Sequence, residues 1–210
     1  PAGSVKQRIG VTDVEVAYGR PSMRGRKVFG GLEPYGAVWR TGANSATRVT
    51  FSTDVKLEGV DVPAGSYSLF SIPREKEWTV ILNSATNQFG AYGYDESKDA
   101  ARIQVHATAL KAPVETLAFG FSDLQSTSGT MYFEWESTRV AMSLTTDVVA
   151  NLVPRIEAAM ASDGPHPYLQ AAMFYYENDV DLEKAVKWID EGAKAQPNAF
   201  WITYRKGLIL

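Results

Sequence analysis

The sequence contains no cysteine and only two histidines. Without cysteine there can be no disulfide, thiolate nucleophile, zinc–thiolate site or iron–sulfur cluster. His106 reads as part of a polar strand face, and His166 lies between Pro165 and Pro167. No HExxH, HxH or Asp-rich loop accompanies them, so no metal site and no cofactor is expected. A Ser-His-Asp triad would need one of these histidines and a nucleophile elbow. No GxSxG occurs, and Ser66 and Ser68 read as strand. Neither sign of charge dominates: 21 Lys and Arg face 24 Asp and Glu, for a net charge of −3. That balance argues against general nucleic-acid binding. No apolar run reaches the ~18 residues of a membrane-spanning helix. No leader pattern opens the chain, yet Pro1 is not a natural start, which leaves open a leader that has been removed or left out of this sequence.

Apolar content, in contrast, is ample. Hydrophobic residues make up 45% of the 210 and aromatics 11%, enough for a real core and too many for disorder. From Val14 to Thr146 the apolar residues alternate. Val14, Val16 and Tyr18 flank Glu15 and Ala17; Ile103, Val105 and Ala107 flank Gln104 and His106; Met131, Phe133 and Trp135 flank Tyr132 and Glu134. Period two gives one buried and one wetted face, the antiparallel habit. Turn signals at Glu58-Gly59, Pro63–Gly65, Pro73–Lys76 and Ser126–Gly129 divide the runs. About nine or ten short strands in an antiparallel β-sandwich or jelly-roll-like domain over residues 1–146 are predicted. Trp78, Phe133 and Trp135 fall on the apolar side and are expected in its core.

After Thr146 the period becomes helical. Val148, Leu152, Ile156 and Met160 form one stripe; Leu169, Ala172, Met173 and Tyr176 a second; Leu182, Ala185, Val186 and Ile189 a third, with Asp181 at its N-cap position. A helix from Phe200 follows Pro197. The spacing of Tyr176, Ala185, Ile189, Gly192 and Pro197 resembles one tetratricopeptide unit, with Gly207 at the small position of the next. Residues 147–210 are thus predicted to be a small all-α, tetratricopeptide-like segment. One such unit cannot bury its own apolar faces, so it is expected to pack on the β half, a second copy or a protein partner.

Residues 18–48 depart from the average. Arg20, Arg24, Arg26, Lys27, Arg40 and Arg48 stand against Glu33 alone, among six glycines, two prolines and the aromatics Tyr18, Phe29, Tyr35 and Trp39. Some thirty residues of loop chemistry in a compact β domain are unusual and point to function or to a self-packed structure. Guanidinium forks suit carboxylates and phosphates, and aromatic faces suit sugars. A site for a small anionic or polyhydroxylated ligand is therefore expected from Arg20, Arg26, Tyr35, Trp39, Arg40, Thr41 and Asn44. The competing reading is a structural lock, in which the arginines pair with the acidic remainder of the protein. Gly30-Gly31 and Gly36 do not follow the order of a phosphate-binding loop.

Gly19-Arg20-Pro21, Gly25–Gly30, Pro34-Tyr35-Gly36, Trp39–Asn44 and Pro63–Phe70 occur in order, followed by Trp78–Asn83, Gly90, Tyr94, Asp99 and Arg102. This series, spanning residues 4–146, resembles the bacterial domain-of-unknown-function family 2911. Phe89 stands where such proteins often have Trp, and Ser45 where an acidic residue is common. The resemblance implies an exported bacterial protein, periplasmic or extracellular, and implies no chemistry.

Paired carboxylates are the remaining enzymatic idea. Glu134 and Glu136 lie two apart on one strand face, with backbones ~6.6 Å apart, near glycosidase spacing. Alternating Glu on a wetted face is also ordinary solvation. The sequence as a whole reads as a non-enzymatic binding or scaffolding module. A glycan-directed hydrolase using paired carboxylates and a structural envelope assembly protein are the alternatives.

Overall fold

Strand alternation sets the architecture of the first 147 residues. In the computed structural model, which describes all 210 residues, β1 (Ala2–Ile9) and β2 (Thr12–Gly19) form a hairpin registered from Ala2↔Gly19 to Ile9↔Thr12. Gly10 turns it at φ 58°, a left-handed conformation that glycine adopts without steric cost. β3 (Thr47–Phe51), β4 (Val55–Leu57), β5 (Val60–Val62), β6 (Gly65–Ile72), β7 (Glu77–Asn83), β8 (Asp99–Ser122) and β9 (Ser128–Thr146) follow. β4 and β5 form a hairpin around Glu58 and Gly59, both at positive φ, as a two-residue turn of the primed type requires.

All nine strands join one antiparallel sheet in the order β1-β2-β3-β6-β7-β8-β9-β4-β5. The first part of β8 pairs with β7, from Asn83↔Asp99 to Glu77↔His106. Its later part pairs with β9, from Ala107↔Val140 to Ser122↔Thr130. β8 therefore carries the chain from one layer to the other. Inward residues of both layers meet in one core that includes Val14, Val49, Leu69, Val80 and Ile103 from the first and Leu57, Phe119, Phe133 and Leu144 from the second. Trp78 and Trp135 are each 1% exposed, as their place in the alternation predicts.

Two features differ from the sequence expectation. β1 was not anticipated, because its inward positions Gly3, Val5 and Gln7 carry little apolar signal. β8 and β9 are not short: they run 24 and 19 residues. Pro113 does not end β8 because it lies where the ladder is already interrupted, in the register shift between Ala109 and Val114.

The chain divides into two units, Pro1–Asp147 and Val148–Leu210. The second consists of α1 (Val148–Met160), α2 (Tyr168–Glu177), α3 (Leu182–Ala195) and α4 (Phe200–Ile209). Asp181 caps α3 by accepting from the Lys184 amide at 3.0 Å. α2 and α3 pack closely: a Cβ on Gly192 would stand 3.0 Å from Tyr168 Cβ. Tyr175 is buried against Trp188, with ring centroids 4.7 Å apart, and donates to Glu157 Oε1 of α1 at 2.6 Å. Gly207, expected to admit a close neighbour, has nothing within 4 Å of its Cβ position. Phe200, Trp201, Tyr204 and Leu208 on α4 are exposed. No helix is long and apolar enough to cross a membrane.

Candidate functional site

The cationic segment is ordered by what it buries. Pro21 to Met23 lie beside the later part of β8: Leu117 N donates to Pro21 O at 2.9 Å, Met23 N donates to Glu115 O at 2.8 Å, and the Ser22 and Thr116 hydroxyls are 2.8 Å apart. Arg24 and Gly25, both at positive φ, turn the chain. Val28 and Phe29 then enter the core, and Trp39 follows ten residues later. Phe29 packs edge-on against Trp78 at 4.8 Å, while Trp39 stacks on Trp135 at 5.8 Å and 21°. Trp39 also exchanges two 2.8 Å backbone hydrogen bonds with Ser71 of β6. Thirty residues of loop are thus held as a plug, by aromatic burial and main-chain hydrogen bonds.

Ion pairing does not hold it. The protein's ion pairs within 4.0 Å involve none of Arg20, Arg24, Arg26, Lys27, Arg40 or Arg48. Arg20 Nε donates to Leu117 O at 3.2 Å, and its guanidinium stands 5.9 Å from the Tyr18 ring centroid. Arg26 folds back on its own turn, donating to Met23 O and Ser22 O at 2.9 and 3.0 Å. Arg40 lies in the field of Glu33, and its Nε is buried without a hydrogen-bond partner. Each guanidinium thus has a different neighbour. Thr41 is fully buried against Ser71 Oγ at 2.9 Å, Trp39 is 2% exposed, and Tyr35 covers Gly30.

Burial raises the Glu33 carboxyl above its ordinary 4.5, with nearby Arg40 opposing the shift. A raised folded pKa means that the native state holds the proton longer than the unfolded chain. Glu33 therefore lowers stability as pH rises from 4.5 through its folded pKa. Glu33→Gln should melt above wild type at pH 7 and match it near pH 4, in thermal scans at the two pH values. Equal differences at both would remove this account.

Of the expected site residues, Asn44 alone lines a cleft of about 650 Å³. Residues 1–3 and 17–19 form one side of its lining, residues 43–46 and Arg48 another, and residues 86–89 a third. The last two are joined by an antiparallel bridge between Ser45 and Phe89. Gly90 N donates to Asn44 O at 2.8 Å and Ala46 N to Gln88 O at 2.9 Å. Asn44 holds φ 66°, which Asn tolerates better than most residues. Beneath these loops, Phe70 and Ile81 form a small core with Ala46, Tyr94, Val38 and Ala91, so β6 and β7 are buried on both faces here.

A polar network anchors the 84–98 loop. Asn83 donates to Asp99 Oδ1 at 2.8 Å and to Asp95 O at 2.9 Å, and accepts from Ala85 N and Gln88 Nε2, each at 3.1 Å. Asp99, with its side chain 5% exposed, also accepts from the Tyr94 hydroxyl at 2.6 Å and from Arg102 at 2.8 Å. Burial, reinforced by Asp99, pushes the Tyr94 hydroxyl up to about 12, so it remains a donor. Gln88 Oε1 is left buried and without a partner, as is Ser68 Oγ. Ser68 is the cross-strand neighbour of both Arg48 and Asn83.

The polar and aromatic residues of the cleft lining are the amides Asn44, Asn87 and Gln88, the hydroxyl residues Tyr18, Ser45 and Thr86, the cation Arg48, and Phe89, which is 69% exposed. The lining contains no carboxylate. Arg48 and Phe89 were not among the expected site residues. Phe89 was distinguished in the sequence only as a departure from the family pattern, and Arg48 only as one cation of a dense set.

Glu134 and Glu136 lie elsewhere and do not face a common space. Glu134 pairs with Arg139 at 2.8 Å, and that guanidinium lies 3.7 Å from the Tyr132 ring centroid. Glu136, at φ 55°, accepts from Phe29 N at 3.3 Å. No group of three or more His, Asp or Glu is placed to hold a metal ion.

The fold and cleft define a mainly β protein with an open, amide-lined depression on the outer face of its sheet. The family model described as a protein of unknown function, DUF2911, matches residues 1–144, and the chain belongs to that family. The chain matches no curated protein and no solved structure.

Proposed function

We propose that the β unit is a binding module whose cleft takes a polyhydroxylated ligand of saccharide type. The observation that carries this is the lining: residues with amide and hydroxyl side chains beside an exposed aromatic ring, with no carboxylate. Amides and hydroxyls match the mixed donor and acceptor pattern of sugar hydroxyls. An aromatic face offers apolar area to the C–H side of a pyranose at little entropic cost. Binding without hydrolysis is the better reading, because glycosidic cleavage uses two carboxylates across the bond and this cleft has none.

Amide-resolved NMR titration with a panel of neutral and acidic mono- and disaccharides tests the reading. Shifts are expected at Asn44, Ser45, Gln88 and Phe89. Phe89→Ala, at an exposed position, should weaken binding roughly tenfold with the melting temperature unchanged. A panel that leaves all four amides unmoved would end the saccharide reading.

A further inference from the structure

We infer that the ligand of this cleft is an acidic sugar, a uronate, whose single carboxylate is met by Arg48; this rests on the saccharide reading above. Arg48 projects from the outer face of β3, where its cross-strand neighbours are Ala17 and Ser68. Both are small, so neither covers the guanidinium, and its side is exposed. It is the cationic side chain of the lining, and no acidic side chain of the protein lies within 4.0 Å of it.

The acids nearby in the fold are already committed. Glu15, two residues along β2 from Ala17 on the same face, pairs with Lys6 at 3.1 Å. Asp99 takes three hydrogen bonds from Asn83, Tyr94 and Arg102. Asp95 is held by Ser97 and Lys98. The protein thus leaves the Arg48 guanidinium free to pair with a negative charge carried by a ligand.

Charge and geometry choose its kind. A planar guanidinium takes a carboxylate through two parallel hydrogen bonds. A phosphate dianion would call for further cations or a cradle of main-chain amides, whereas the surrounding side chains are neutral amides and hydroxyls. One carboxylate at Arg48 and several hydroxyls along Asn44, Ser45, Asn87 and Gln88 describe a uronic acid.

The test uses the full chain, with glucuronate, glucose and inorganic phosphate as probes and amide shifts of Asn44, Ser45, Arg48 and Gln88 as readout. Glucuronate is expected to bind about tenfold more tightly than glucose, with phosphate weakest. Arg48→Gln should reduce glucuronate to the glucose level, change glucose binding far less than glucuronate binding, and keep the wild-type melting temperature. Equal binding of glucuronate and glucose, or an Arg48→Gln protein that still prefers glucuronate, overturns the assignment while the saccharide reading stands. Phosphate binding as tightly as glucuronate overturns it in favour of a general anion site. Silence of the cleft amides to both sugars defeats the saccharide reading and this inference together.

Discussion

Trp39→Ala should destabilise the protein by about 3–5 kcal/mol, the range for removing a large buried aromatic. Trp39 comes from a segment without regular strand structure, where truncation of a side chain would ordinarily cost little. Here the ring is 2% exposed, stacks on Trp135, and lies within 6.4 Å of Trp78 and 6.2 Å of Phe133. Its indole N–H also donates to Gly42 O at 3.2 Å, closing the turn that leads to Asn44. Loss of the ring removes transfer energy, opens a cavity among the rings of Phe29, Trp78, Phe133 and Trp135, and frees the Gly42 carbonyl. Urea unfolding followed by far-UV circular dichroism measures the cost. A change below ~1 kcal/mol would mean that the loop is not a plug.

Gly19→Ala should cost about 3 kcal/mol, the upper part of the range for overpacking. A Cβ at Gly19 would stand 2.0 Å from Ala43 O and 2.8 Å from its carbonyl carbon. Those are backbone atoms, so no rotamer change relieves the clash. The Ala43–Ala46 segment would have to move, and it forms one wall of the cleft while bonding the 88–90 backbone. The substitution should therefore both lower the denaturation midpoint and shift the Asn44, Ser45 and Gly90 amides. Gly36→Ala provides the contrast: its φ is +80°, so some strain follows, but its Cβ position has nothing within 4 Å. It should destabilise less and leave the cleft amides in place. If Gly19→Ala keeps wild-type stability, close approach of β2 and the 43–46 segment is not what sets that wall.

Phe133 and Trp135 were legible as core because they repeat every second residue on a strand whose other face is polar, and burial followed that parity; Trp78 was legible from its apolar alternation, although β7 is buried on both faces. The antiparallel, mainly β architecture with helices after it was legible for the same reason. Asp181 was legible because a short acidic side chain before an apolar helical stripe has one favourable use, at the cap. The resemblance to a family of unknown function was legible from its ordered motifs and matched the family comparison over residues 1–144.

The arginines of residues 18–48 show the limit. Sequence marks a cluster along the chain, but clustering along a chain is not clustering in space. Arg26 binds its own turn, Arg20 reaches Leu117 O of β8, and Arg40 lies with Glu33, while Arg48 reaches the cleft because β3 directs it to the outer face. The aromatic residues of the same stretch divided likewise, Trp39 and Phe29 inward and Tyr35 outward.

Period, turn chemistry and caps depend on neighbours within a few residues, and so the amino-acid sequence by itself determined the strand and helix content, the core face of most strands and the apolar anchors. The cleft depends on Asn44 meeting Gly90 and on Ser45 bridging Phe89, contacts between segments more than forty residues apart. Only the tertiary structure decided them, because loop closure over that distance is driven by the burial of Phe70 and Ile81 beneath both loops, which no local pattern encodes.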